Sequence, residues 1–147
     1  MPSRQVDISK KETVYREATA TGRIRLSRTT VNLVRSDKLE KGDPITIAET
    51  MAITGAKLTP NIVALCHQLN IEKVEPKVTI GRDSIEVTVT VGANGKTGVE
   101  MEALTAVSAA LLNIWDVVKA YEKDQGGQYP TTWIESVRVV RKVKRRT

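Results

Sequence analysis

Apolar positions along this chain repeat with two different periods, and the change from one to the other marks its elements. From Ser84 to Val91, Ile85, Val87, Val89 and Val91 alternate strictly with polar residues, the period of a half-buried strand. Ile71 to Ile80 reads as a second strand, and Gly81-Arg82-Asp83 between them as a turn, so the two form a hairpin. Further on, Leu104, Val107, Leu111, Ile114 and Val118 step by three or four and lay one apolar stripe along a helix over 98–122. Gly92 to Gly98 is expected as a loop, and Thr132 to Val143 as a last strand. Upstream, loose alternation from Val14 to Leu26 predicts one or two strands broken at Gly22. Ser27 suits the N-cap of a short helix, Arg28 to Ser36. Asp43 followed by Pro44 starts another helix through ITIAETMAITGAKL. β-branched residues there compete for strand, but Ile47, Met51 and Thr54 fit helical spacing. Thr59-Pro60 repeats the cap-plus-Pro start and predicts a short helix to Ala64 or Leu65.

These elements add up to one α+β domain over 1–147, with a mainly antiparallel sheet and helices packed on one face. The hairpin, long helix and returning strand resemble part of a ferredoxin-like unit. Composition agrees with a folded domain: 40% of the 147 residues are hydrophobic. Aromatics are only 3% and Phe is absent, so the core must be built of Val, Ile, Leu and Ala. No apolar run approaches the roughly 20 residues that span a bilayer. The start, MPSRQVDISKKE, is polar, lacks the apolar stretch of a signal peptide, and is expected to be flexible over about 1–12. Cys66 is alone, which fits a reducing, cytoplasmic setting. The net charge of +6 has a local origin. The last ten residues carry six Lys or Arg, and removing them leaves 17 basic against 17 acidic residues. Positive charge is thus a property of a tail at about 141–147, read either as a solvated terminus or as an anion or nucleic-acid contact.

Several residues could carry chemistry. Gly95-Lys96-Thr97 matches the end of a nucleotide-binding P-loop, but position 90, where the first glycine belongs, is Thr90. What survives is an ordinary Gly-rich turn or an anion site at a helix N-terminus beside Lys96. Glu100 and Glu102 fall in the first helical turn, where the helix dipole alone accounts for them. Asp116 and Lys119 share a helix face on the flank of the apolar stripe. They make a plain ion pair or a pair that tunes each other's proton affinity. Cys66 and His67 are sequence neighbours, an arrangement that rarely aligns two side chains for proton transfer. His67 is the only His, so no His pair offers a metal site. Lys41, Lys57 and Arg16, with Lys96 and Lys119, could supply an anion pocket, though spacing does not show that they converge.

Longer blocks carry a resemblance. The stretch KTGVEMEALTAVSAALLNIWDVVKA, together with Lys41-Gly42-Asp43, Thr54-Gly55-Ala56-Lys57-Leu58-Thr59 and Leu65-Cys66-His67-Gln68-Leu69, resembles the cyclic pyranopterin monophosphate synthase family of molybdenum cofactor biosynthesis. Val6-Asp7-Ile8-Ser9 and Glu12 to Ala18 resemble its N-terminal segment. The resemblance implies a lyase that turns a cyclic dihydro-GTP (3',8-cyclo-7,8-dihydro-GTP) into cyclic pyranopterin monophosphate and pyrophosphate. It implies no redox cofactor and no protein-held metal, and leaves open whether Mg²⁺ accompanies the triphosphate. It further implies a ferredoxin-like fold and a homohexamer, a trimer of dimers, with active sites at subunit interfaces. By position it implies Lys119 as general acid/base, Asp116 as its holder and Lys41 as a second catalytic lysine. Leu65, Cys66 and His67, with Met101 and Glu102, match substrate-binding segments. Arg16 and Lys57 match basic residues near the triphosphate, and Glu100 an acid of the pocket.

Two departures stand out. Gln68 replaces the family's usual Pro after Cys-His, and a basic run over 139–146 replaces a Gly/Ser-rich C-terminus. A nucleic-acid-binding module is the competing reading. It is disfavoured because strands 71–80 and 84–91 contain no aromatic residue on which a base could stack. An oligomeric scaffold without chemistry is a third, and it predicts no converging lysines.

Overall fold

The computed structural model describes residues 1–146. Its elements are β1 (Val14–Arg25), α1 (Arg28–Arg35), α2 (Pro44–Lys57), α3 (Thr59–Ile62), β2 (Lys73–Ile80), β3 (Ser84–Gly95), α4 (Glu100–Glu122) and β4 (Trp133–Arg145). The four strands form one sheet in the order β2-β3-β1-β4, every neighbouring pair antiparallel. Helices pack on one face of it, which is the ferredoxin-like α+β arrangement expected from the pattern.

Strand alternation divides the sheet into a helix-facing side and an outer side. Ile85, Val87, Val89 and Val91 of β3 are fully buried toward the helices, opposite Ala18, Ala20 and Ile24 of β1. The α4 stripe closes on them through Val107, Leu111, Ile114 and Val118, all fully buried, while Leu104 is only half-buried at its edge. Gly22 does not break β1. A Cβ there would stand about 3.0 Å from Leu111 Cδ1 and Val107 Cγ1 and 2.9 Å from Val137 Cγ2, so the missing side chain lets α4 and β4 close on the sheet. On its other flank α4 meets α2 through small residues. A Cβ on Gly55 would come within 2.7 Å of Ala109 Cβ, beside buried Ala52, Ala56 and Ala106.

Other expectations shift for identifiable reasons. Gly92 to Gly95 is strand, not loop, because β1 supplies paired partners as far as Val14. Asp43 caps α2 by accepting from Ile45 N at 3.0 Å, and Ser27 caps α1. Thr59 is no cap. It lies inside α3, and its hydroxyl donates back to Ala56 O at 2.9 Å. That helix stops at Ile62. β4 runs to Arg145, so the basic segment is a sheet edge paired with β1; Thr147 lies outside the described residues. The N-terminal segment is laid across the molecule, with Val6 O on His67 and Ser9 O on Lys96. By length and composition α4 is apolar enough to cross a membrane, against the expectation that no run approaches a bilayer span; within the fold it is the core helix on the sheet.

The C-terminal end of α4 is fixed by a buried acid that no periodicity reveals. Glu122 accepts from Ser27 N and Oγ, from Thr30 Oγ1 and from Thr132 Oγ1, joining α4 to the starts of α1 and β4. Glu122→Ala strands these donors, and should cost about 3 kcal/mol in denaturant unfolding. A change below about 0.5 kcal/mol would show that the cluster does not hold the elements together.

Candidate active site

One group of side chains forms around the last turns of α4. Asp116 and Lys119 are one turn apart, and Lys119 Nζ lies 2.9 Å from Asp116 Oδ1. Lys41 reaches the other oxygen from the loop before α2, with Nζ 3.1 Å from Oδ2. That loop is held on the helix by Glu40 N donating to Tyr121 Oη at 2.9 Å. Gly42, at φ +109°, then turns the chain into the Asp43 cap in a conformation that side-chain-bearing residues avoid. One carboxylate therefore faces two ammonium groups. Its proton affinity is lowered, first by the hydrogen bond from Lys119 and next by that from Lys41. Asp116 in turn raises the proton affinity of Lys119, so Lys119 stays protonated. The three side chains are each about half exposed, and the cluster opens to solvent.

A second group forms at the other end of α4. A cavity of about 500 Å³ is lined by Leu65, Cys66, His67, Glu100 and Met101, with Arg4 and Lys11 on its rim. His67 Nε2 is 2.7 Å from Val6 O, an acceptor, so this nitrogen carries the proton. Glu102, only 1% exposed, lies behind the cavity wall with Oε2 3.6 Å from Cys66 Sγ. Burial raises its proton affinity, and its Oε1 is buried without a hydrogen bond. Burial, then the neighbouring Glu102, pushes the Cys66 thiol up to about 11. Cys66 is thus a neutral thiol, the wrong state for a nucleophile at pH 7. Arg16 approaches from β1, its Nε donating to Gly95 O at 3.0 Å on the way into α4. Lys57 is exposed at the end of α2 and joins neither group within this chain.

Within one chain, then, Lys41, Asp116 and Lys119 come together, and so do Leu65, Cys66, His67, Glu100, Met101 and Glu102, while Arg16 stays on Gly95 outside the cavity lining. The two groups do not meet. Glu100 and Asp116 are separated by roughly 24 Å of helix at 1.5 Å per residue. Between them the outer flank of α4 carries a shallow apolar groove with Ile62, Leu104, Ala109 and Leu112, the last 60% exposed. Two contributors escaped the sequence. Tyr121 carried no pattern signal, and Lys142, counted with the tail, stands 3.5 Å from Glu100 Oε2.

Fold and clusters together define a class: a ferredoxin-like α+β protein whose core helix bears a Lys–Asp–Lys cluster at one end and an acid-lined cavity at the other. The chain belongs to the MoaC family, whose model matches residues 5–144. Among its relatives is a probable cyclic pyranopterin monophosphate synthase of Sulfurisphaera tokodaii, 50% identical over 139 residues, 95% of this chain and 92% of the relative. Proteins of the same name from Aeropyrum pernix and Methanococcoides burtonii are each 51% identical. Their matches cover 96% and 95% of this chain, and 95% and 87% of the relatives.

Proposed function

We propose that the chain is a cyclic pyranopterin monophosphate synthase, converting 3',8-cyclo-7,8-dihydro-GTP to cyclic pyranopterin monophosphate and pyrophosphate. The observation that carries the reading is the convergence of Lys41 and Lys119 on Asp116, since the scaffold alternative predicts no such group. Opening the purine ring and rebuilding it as a pyranopterin requires repeated proton transfers. Lys119, kept protonated by Asp116, supplies the acid, and Asp116 holds it on one carboxylate oxygen while Lys41 takes the other. The α-phosphate is attacked by a ribose-derived hydroxyl in line with departing pyrophosphate. Cationic side chains, Arg16 and Lys57 among them, offset the charge that builds on the leaving group. The Leu65–His67 segment and Met101–Glu102 hold the base. The reaction is redox-neutral and asks for no redox cofactor.

Because the two groups lie at opposite ends of α4, the reading requires a second copy. The apolar groove along the helix supports it. A two-fold contact that runs the helices antiparallel brings Lys119 of one copy toward the His67 cavity of the other. We take the active assembly to be a homohexamer, a trimer of such dimers, working in the cytoplasm. Incubating the purified chain with the cyclic dihydro-GTP should release one pyrophosphate per cyclic pterin, with no redox cofactor added. Absence of both products would overturn the reading.

A further inference from the structure

Lys41 is seated on Asp116 twice. Its Nζ lies 3.1 Å from Asp116 Oδ2 and 3.4 Å from the main-chain oxygen of the same residue. Both contacts come from one flexible side chain on a largely exposed loop, 36–43, between α1 and α2. The loop's own backbone hydrogen bonds are local. Asp37 N donates to Val34 O, Lys38 N to Leu33 O and Gly42 N to Leu39 O. They shape the turn and do not place it on α4. Leu39, 8% exposed, anchors it in the core. An apolar contact is non-directional, so burial of Leu39 does not aim the residues that follow.

The directional contact is made by Tyr121. Its hydroxyl accepts from Glu40 N at 2.9 Å, on the residue directly before Lys41. Among the described residues this is the one backbone hydrogen bond that joins the segment from Leu39 to Gly42 to α4. Tyr121 follows Asp116 by five residues, a rise of about 7.5 Å and a rotation of about 140°. The phenol and the carboxylate thus lie on different faces of the helix. Tyr121 acts on Asp116 only by way of the Lys41 backbone. Its ring is 37% exposed and fills little of the core, so the hydroxyl is the part that matters.

We propose that Tyr121 is a positioning residue of this site: its hydroxyl fixes the Glu40–Lys41 backbone so that Lys41 sits on Asp116. That the Lys–Asp–Lys cluster is catalytic rests on the lyase reading; the seating of Lys41 by Tyr121 does not.

The test removes one oxygen from the full chain, by Tyr121→Phe. Lys41 is read by reductive methylation followed by peptide mass spectrometry. Methylation needs the free amine, so an ammonium held on a carboxylate reacts slowly. In Tyr121→Phe, labelling at Lys41 should quicken at least about threefold, the scale of one lost hydrogen bond. Lys119 keeps its own contact with Asp116, and its labelling should change less than about 1.5-fold. Turnover on the same samples should show kcat lower by about tenfold and KM within about twofold, since a displaced catalytic group costs rate more than binding. Unchanged labelling at Lys41, or equal quickening at both lysines, would overturn the positioning role. Selective quickening at Lys41, with no turnover of the cyclic dihydro-GTP by the original chain, sinks the lyase reading and keeps the seating. Turnover by the original chain, with kcat unchanged in Tyr121→Phe, sinks the positioning role and keeps the lyase reading.

Discussion

Lys119→Ala should lower turnover of the cyclic dihydro-GTP by about 1,000-fold while leaving fold and assembly intact. The side chain is 41% exposed and packs no core, so its removal costs little stability. What disappears is the proton donor held 2.9 Å from Asp116. Because Asp116 raises the proton affinity of Lys119, the protonated form persists past the ordinary lysine value of 10.5. Activity that depends on it is therefore kept as pH rises through neutrality and lost only in the alkaline range. Asp116→Asn removes the raising charge and should draw that alkaline limb to lower pH, with a smaller loss near pH 7 than Lys119→Ala. Full activity in Lys119→Ala would remove Lys119 from the chemistry.

The second large effect is expected from a residue that touches no substrate. Leu112 sits 60% exposed on the outer flank of α4, between the two polar groups and one turn before Asp116. Leu112→Asp should hardly alter the unfolding of a single copy, since little of the side chain is buried within it. In the assembly the same carboxylate would be buried against an apolar partner face, at a cost of several kcal/mol. The expected result is dissociation by light scattering, and a loss of turnover of about 100-fold or more. An assembled, active Leu112→Asp variant would exclude this flank as the contact that completes the site.

Local pattern carried most of the fold. Strict alternation in Ile85 to Val91 and the three-and-four stepping of Leu104 to Val118 each describe one buried face, and both faces lie where the periods place them. Errors arose where a residue answers to a distant partner. Gly22 looks like a breaker in isolation, yet it serves the close approach of Leu111 and Val107. Gly92 to Gly95 looks like loop because β1, which pairs with it, is 70 or more residues away in the chain. The same limit applies to chemistry. The i, i+3 spacing of Asp116 and Lys119 was legible, but the arrival of Lys41 depends on Tyr121 and a turn at Gly42. Burial of Glu102 against Cys66 likewise depends on a loop brought in from 36 residues away. Placing the terminal charges on a sheet edge needed the β1–β4 register, which composition does not contain.

In the proposed assembly one working site takes Lys119 from one copy and His67 from another. Lys119→Ala and His67→Ala variants, each inactive, should be mixed, dissociated and reassembled in equal amounts. Random pairing makes half the dimers mixed, and each of these has one site free of both substitutions. Recovery of about one quarter of the original turnover is therefore expected. If both residues served a site within the same copy, every site in the mixture would carry a substitution, and no activity would return.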